Sequence, residues 1–422
     1  MAQPGIRFLR HFFPPERLSH LDVRLLALMA VIAFTQGYAG SLLTHTLPFA
    51  RTSLALSEGQ MSGVFAVVRA AAFAGLALSL YGDRRGRRRP LLAAFVLLPA
   101  ANLATALVPG VPAFIILQSL ARVGTIAVGA LAIVVLAEEI SPSVRSYAIG
   151  VYVLVGAMGT GFSLILLPIV DAGPEAWRIL FGLSSMPLVA FPLLVVVLRE
   201  SRLFTPMGAR PPLAAALRGG HARHFWPMAA LTMLVAAFSG PAINFALERL
   251  VDDLGWHTGD ARNLLIVTSG LGTAGFLVGG RIADLIGRRP TEATALILGG
   301  LGGLGFYFFD SGYVMGPAIF LATLGATAFA PAFAAHRSEL FPTDLRATAT
   351  AWLNNAGILG GLVGFGVGFF AIDAWGLSNT VGALALSVLA AAALVVLLPE
   401  TRGMDLSRAG AGSAAADTPG PP

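Results

Sequence analysis

Asp83-Arg84-Arg85-Gly86-Arg87-Arg88 and Asp284-Leu285-Ile286-Gly287-Arg288-Arg289 are one signature written twice, 201 residues apart. Two further signatures recur at nearly the same offset. Glu139-Ile140-Ser141-Pro142-Ser143-Val144-Arg145 is matched by Glu339-Leu340-Phe341-Pro342-Thr343-Asp344-Leu345-Arg346, at 200 rising to 201 through one insertion. Arg199-Glu200-Ser201-Arg202 is matched by Pro399-Glu400-Thr401-Arg402, again at 200. Each copy follows a long apolar run, and the order is the same in both halves. Chance does not produce three charged signatures in register. The chain reads as a tandem parallel repeat.

The apolar runs say what is repeated. Hydrophobic residues make up 56% of the 422 and charged residues 12%, with a mean hydropathy of +0.77. A soluble domain carries roughly twice that charge. Twelve segments reach the ~20 apolar residues that a spanning helix needs: 25–47, 61–81, 91–108, 113–137, 147–170, 177–198, 225–247, 264–283, 291–309, 315–335, 347–372 and 377–398. Backbone polar groups cannot stay unpaired in hydrocarbon, and the alternation of barrel strands is absent, so the segments are expected to be helices. The expected fold is an all-α membrane protein of twelve transmembrane helices, in two six-helix halves around a central cavity.

The basic residues are all arginine, which sets the orientation. With the N-terminus inside, 22 arginines fall in inside segments or at inside span ends, 4 in outside segments or at outside span ends, and Arg69 and Arg122 deep within spans. Inside-positive bias therefore predicts both termini in the cytoplasm and a plasma-membrane location. The organisation that follows is a cytoplasmic N-terminal segment (1–24), an N-terminal half (25–198), a cytoplasmic linker (199–224), a C-terminal half (225–398) and a partly disordered cytoplasmic tail (399–422). Such scattered charge argues for topology and against a nucleic-acid surface.

The loop motif Gly-x-x-x-Asp-Arg-x-Gly-Arg-Arg of the major facilitator superfamily is matched in the second half by Gly280, Asp284, Gly287, Arg288 and Arg289. The first half has Ser79 at the leading position but keeps Asp83, Arg84, Gly86, Arg87 and Arg88. Nearly the whole chain resembles that superfamily. The Glu-x-x-Pro-x-x-Arg stretches, Arg-Glu-Ser-Arg and Pro-Glu-Thr-Arg-Gly are similar to its sugar-porter and metabolite:proton symporter branch. The resemblance implies alternating-access transport of a small molecule, with a proton as candidate coupling ion, no cofactor, and a monomer as the expected unit.

The repeated motifs place Asp83, Arg84, Arg87, Arg88, Glu139, Arg145 and Glu200, with Asp284, Arg288, Arg289, Glu339, Arg346 and Glu400, on the inside face. Arg–carboxylate pairs are geometrically specific. Pairs bridging the halves would form only when the halves close on the inside, and so would bias the transport equilibrium. A solvated topogenic loop explains the same charges more simply, but not their recurrence at 200 residues. Asp83 or Asp284 is also a candidate to face the N-terminus of a neighbouring helix.

None of the 22 acids lies near mid-span, whereas Arg69 and Arg122 do lie deep. A charge at mid-membrane costs at least ~2.5–3.5 kcal/mol, so each arginine must face a cavity or a partner. Two cations without an opposing acid point to a carboxylate or phosphate; the plainer alternative is carbonyl bonding that serves packing. Gln36, Tyr38, Gln118, Asn244, Asn354 and Asn355 are further substrate candidates, although membrane amides also tie helices together. His45, near an outer end, is expected to be structural. No metal-ligand spacing, P-loop or cysteine is present in the sequence, and no metal or cofactor is expected. Gly270-x-Gly272-x-x-Gly275 and Gly300-x-Gly302-x-x-Gly305 match a dinucleotide fingerprint in letters only, because they lie in membrane helices rather than βαβ units. The reading is transport of a small anionic metabolite. Its alternatives are export of drugs or other amphiphiles, and a transport-inactive sensor or scaffold; an enzyme is not expected.

Overall fold

A computed structural model of the protein describes residues 19–140, 144–198, 200, 221–341 and 343–402. Among them are fifteen α-helices: α1 (His20–Ser53), α2 (Glu58–Ala70), α3 (Ala72–Arg85), α4 (Arg88–Thr105), α5 (Val111–Glu139), α6 (Arg145–Ile165), α7 (Trp177–Leu183), α8 (Phe191–Val197), α9 (Ala222–Glu248), α10 (Thr258–Gly272), α11 (Gly275–Ile286), α12 (Arg288–Phe308), α13 (Gly312–Leu340), α14 (Thr343–Trp375) and α15 (Leu377–Leu394). α1 starts on a capping box, in which the Ser19 hydroxyl accepts from the Asp22 amide and the Asp22 carboxylate accepts from the Ser19 amide.

Ten helices or helix pairs are long and apolar enough to cross a membrane. α4 and α12 fall at the third and ninth apolar segments. Each opens on two arginines, and α12 is interrupted by Gly299, Gly300, Gly302, Gly303 and Gly305, which lowers its hydropathy. The second and eighth segments are each broken once, near Ala71 and near Thr273, so the discontinuity itself recurs in the repeat.

The chain divides into two compact units. The first comprises the described residues of Met1–Ala55 and Val67–Gly208; the second, those of Leu56–Ala66 and Ala209–Pro422. Inside the first unit α1 packs on α6, α4 on α5, and α3 on α5. Inside the second the same scheme returns as α9 on α14, α12 on α13, and α11 on α13. The core of the first unit gathers Met29 and Ile32 of α1, Leu91 and Phe95 of α4, Val128 and Val135 of α5, and Leu194 of α8. Leu277, Val196 and Phe370 are exposed large apolar side chains, as a lipid-facing surface requires.

One grouping differs from the sequence reading. Residues 56–66, the beginning of the second apolar segment, belong with the second unit. The Asp373 carboxylate accepts from Ser57 Oγ at 2.7 Å and from the Gly59 amide at 2.9 Å, which caps α2. Ser62 Oγ donates to the Phe365 carbonyl at 2.8 Å, and Phe65 stacks on Phe365 at 5.2 Å.

Glycine allows the close helix approaches. A Cβ at Gly302 would lie 2.4 Å from the Ala322 amide nitrogen, and one at Gly275 would lie 2.3 Å from Thr327 Oγ1. In the two fingerprint-like runs, Gly272, Gly275, Gly302 and Gly305 serve packing on α13, and Gly300 serves packing on α15.

Candidate substrate site and charge clamps

In the first unit a polar cluster forms where α1, α5 and α6 meet. Gln36 Nε2 donates to the Thr125 carbonyl at 3.1 Å, and Tyr152 Oη donates to Gln36 Oε1 at 2.5 Å. Gly129 makes room for it: a Cβ there would lie 2.4 Å from Gln36 Nε2. Arg122 sits one helical turn before Thr125, and residues three apart share a helix face. Its Nε is buried and has no hydrogen-bond partner among the described residues. Arg69, in the last turn of α2, lies close enough for the two charges to repel. The two deep arginines of the sequence thus lie within electrostatic range of each other, and Gln36 bonds α5 one turn from Arg122.

Other candidates are spent on structure. Tyr38 is buried and its hydroxyl donates to the Leu180 carbonyl at 3.0 Å. Gln118, also buried, donates to Asn102 Oδ1 at 3.1 Å and Thr105 Oγ1 at 2.9 Å, tying α5 to α4. Both are engaged as helix ties, where the sequence reading offered them to substrate; an amide or phenol in an apolar interior bonds the nearest acceptor. His45 Nδ1 lies 2.7 Å from Ser163 Oγ, a local bond of the structural kind expected. In the second unit Asn244 Nδ2 donates to Gly240 of its own helix at 2.8 Å. Asn354 is exposed, and Asn355 Oδ1 is buried without a hydrogen-bond partner.

The repeated signatures build one clamp in each unit. In the first, the Glu200 carboxylate accepts from the amides of Arg87 (2.6 Å) and Arg88 (3.2 Å) at the start of α4. The Arg88 guanidinium donates to the carbonyls of Leu198 and Val195 at 2.6 and 2.5 Å, and Arg87 pairs with Glu138 at 2.5 Å. In the second, Glu400 accepts from the amides of Arg288 (2.9 Å) and Arg289 (3.1 Å) at the start of α12. Arg289 donates to the Val396 carbonyl at 2.8 Å, and Arg288 pairs with Glu339 at 2.9 Å and Asp284 at 2.5 Å. The carboxylates use both the free amides and the dipole of a helix N-terminus. Burial opposes ionisation of Glu400, but the amides of Arg288, Arg402, Arg289 and Thr401 prevail and hold its carboxyl below the ordinary carboxylate range. The same kind of balance, led by the Glu339 hydrogen bond, raises Arg288 above the ordinary guanidinium range.

The acids at the N-termini of α4 and α12 are Glu200 and Glu400, whereas Asp284 pairs with Arg288 across one helical turn. Arg87 pairs with Glu138, the residue before the network candidate Glu139. Glu138 lies 201 residues before Glu339, the same offset as Arg87 to Arg288 and Arg145 to Arg346, so this pairing needs no insertion between the glutamate and the arginine. Glu139 instead lines a cleft of about 470 Å³ with Ser19, Asp22 and Arg24. Finally, each of these Arg–carboxylate pairs closes within one unit. Arg346 Nε is buried with no hydrogen-bond partner. The side chains of Asp83, Arg84 and Arg145 lie outside those described.

The family model of the Major Facilitator Superfamily matches residues 29–309 and 229–417, most of the chain, each time across a tandem set of these helices. The chain belongs to the major facilitator superfamily. It is a multi-pass membrane transporter built on that fold. The chain is 25% identical over 368 residues to a probable 4-methylmuconolactone transporter of Cupriavidus pinatubonensis (strain JMP 134 / LMG 1197), covering 85% of each chain. It superimposes on the E. coli xylose transporter XylE in an inward open conformation with a TM-score of 0.72 at 17% identity, covering 92% of this chain and 99% of that one. A bacterial homolog of the human lysosomal transporter Spinster, inward-facing and unoccupied, gives 0.69 at 15% identity, over 90% and 96%. At these identities the two structural likenesses are of fold.

Proposed function

We propose that this transporter moves small carboxylate-bearing metabolites by secondary active, alternating-access transport, as a monomer in the plasma membrane with both termini cytoplasmic. The Arg122 guanidinium carries this reading: its buried Nε has no hydrogen-bond partner, and the like charge of Arg69 lies beside it. A buried cation is costly where water is scarce, and an anionic ligand offsets its charge. A guanidinium holds a carboxylate through two parallel hydrogen bonds. Gln36, bonded to the Thr125 carbonyl one turn from Arg122 and to Tyr152, is the neighbouring polar group we assign to ligand selection. The 4-methylmuconolactone named for the relative is a lactone bearing a carboxylate arm, the kind of ligand such a site suits. In the same reading the two clamps hold the inside ends of each half rigid, with Asp83, Arg84, Arg145 and Arg346 contributing to the inside charge network.

The test is uptake by purified protein in proteoliposomes, across a panel of lactone carboxylates, dicarboxylates, neutral sugars and organic cations. Uptake confined to carboxylates and abolished by Arg122→Ala is the expected result. Uptake of a neutral or cationic compound that survives Arg122→Ala would overturn the anion site.

A further inference from the structure

The two halves match closely at their clamps, but they diverge one turn deeper. In the second unit Glu292 of α12 and His336 of α13 are both fully buried at 0% exposure. His336 Nδ1 lies 2.9 Å from Glu292 Oε1, and His336 Nε2 lies 2.9 Å from the Pro399 carbonyl oxygen. The positions 201 residues earlier are Leu91 and Val135, both buried apolar residues of the first core. The repeat therefore packs this place with hydrocarbon in one half and with an acid–base pair in the other. The fold does not require the pair.

Proton counting defines what the pair does. The Pro399 carbonyl only accepts, so Nε2 carries a hydrogen. Nδ1 and Glu292 Oε1 then need one further proton between them, held as imidazolium with carboxylate or as imidazole with carboxylic acid. With that proton both bonds form and the pair is neutral overall. Without it, one N–H faces two acceptors, Glu292 and the Pro399 carbonyl, and one must go unpaired. The charged carboxylate is the stronger acceptor. Loss of the proton thus turns the imidazole N–H toward Glu292 and releases Pro399, the residue next to Glu400, which caps α12. The surrounding charged and titratable groups are Arg288 on α12, Glu339 on α13, His224 on α9 and Glu400 after α15. Glu292 Oε2 is buried with no hydrogen-bond partner, so no second donor stabilises the bare carboxylate there.

We propose that Glu292 and His336 form a buried proton-binding site, present only in the second half, whose single bridging proton latches the Pro399–Glu400 segment onto α12.

The chain has no cysteine, so one introduced thiol reports cleanly. Leu398 is buried at 1% and directly precedes Pro399. In detergent-solubilised full-length Leu398→Cys, maleimide labelling is measured from pH 5 to 9, relative to free cysteine at each pH. The expected result is a relative rate that rises at least several-fold with pH. Glu292→Gln keeps a hydrogen in the bridge at every pH and should leave Leu398→Cys protected throughout. The paired change Glu292→Leu with His336→Val installs the residues of the first half and should make the rate independent of pH. A flat profile in the otherwise unchanged protein would overturn the proposal, as would a Glu292→Gln profile that rises like the parent's. Glu292→Gln is close to isosteric, so the test survives if the double variant fails to fold.

Discussion

In the proposed function the guanidinium of Arg122, whose buried Nε has no hydrogen-bond partner among the described residues, holds the substrate carboxylate. Truncating one member of a buried, hydrogen-bonded charge pair costs about 2–5 kcal/mol, which is roughly 30-fold or more in Kd. Arg122→Ala should therefore lose carboxylate binding by at least that factor while still purifying as a folded monomer. Arg122→Lys should recover only part of it, because an ammonium cannot form two parallel bonds. Equilibrium binding of a carboxylate found active in the uptake panel checks both. Gln118→Leu gives the contrast: it unties α5 from Asn102 and Thr105 and should lower thermal stability with little change in affinity. Arg69 and Arg122 were legible in the sequence because charges are rare and costly in apolar runs. Glu292 and His336 were not, since an acid close to a span end reads as solvated until the helices packed around it are known.

At the scale of the element, the helix starts of α4 and α12 carry the clamps, and their glycines make them possible. Gly86 and Gly287 have φ of +108° and +115°, and a Cβ on either would lie within 2.8 Å of a clamp carboxylate oxygen. Gly287→Ala should cost roughly 1–3 kcal/mol of stability, read as a fall in Tm, and Gly86→Ala should cost a similar amount. The Arg87–Glu138 pair is tested by substitution: Glu138→Gln should lose about 2 kcal/mol by removing the carboxylate from this pair, read as a fall in Tm. Because the folded Glu400 carboxyl lies below its ordinary range, its contribution is fully present above the unfolded value near ~4.3 and is lost as pH falls through the folded value. Glu400→Gln should remove that part of the acid sensitivity, measured as Tm against pH below about pH 5.

Over the whole molecule, orientation rests on the arginine distribution. Cysteines introduced at Ala172 and Gly312 should label from outside intact cells, and those at Gly208 and Ala415 should not. Outside labelling at Gly208 would reverse the topology. The repeat, the helical membrane class and the family were all readable in sequence. Apolar runs of spanning length and charged signatures at a 200-residue offset are local properties that no tertiary contact can change. What the sequence left open was who meets whom. Two adjacent glutamates, Glu138 and Glu139, are equivalent as letters, and only the packing of α5 against α4 brings Glu138 onto Arg87. Tyr38 and Gln118 look like ligands for substrate until packing shows their bonds already made. The Glu292–His336 pair joins residues 44 apart on two helices, so its existence depended on helix packing, which brings side chains distant in sequence within hydrogen-bond reach.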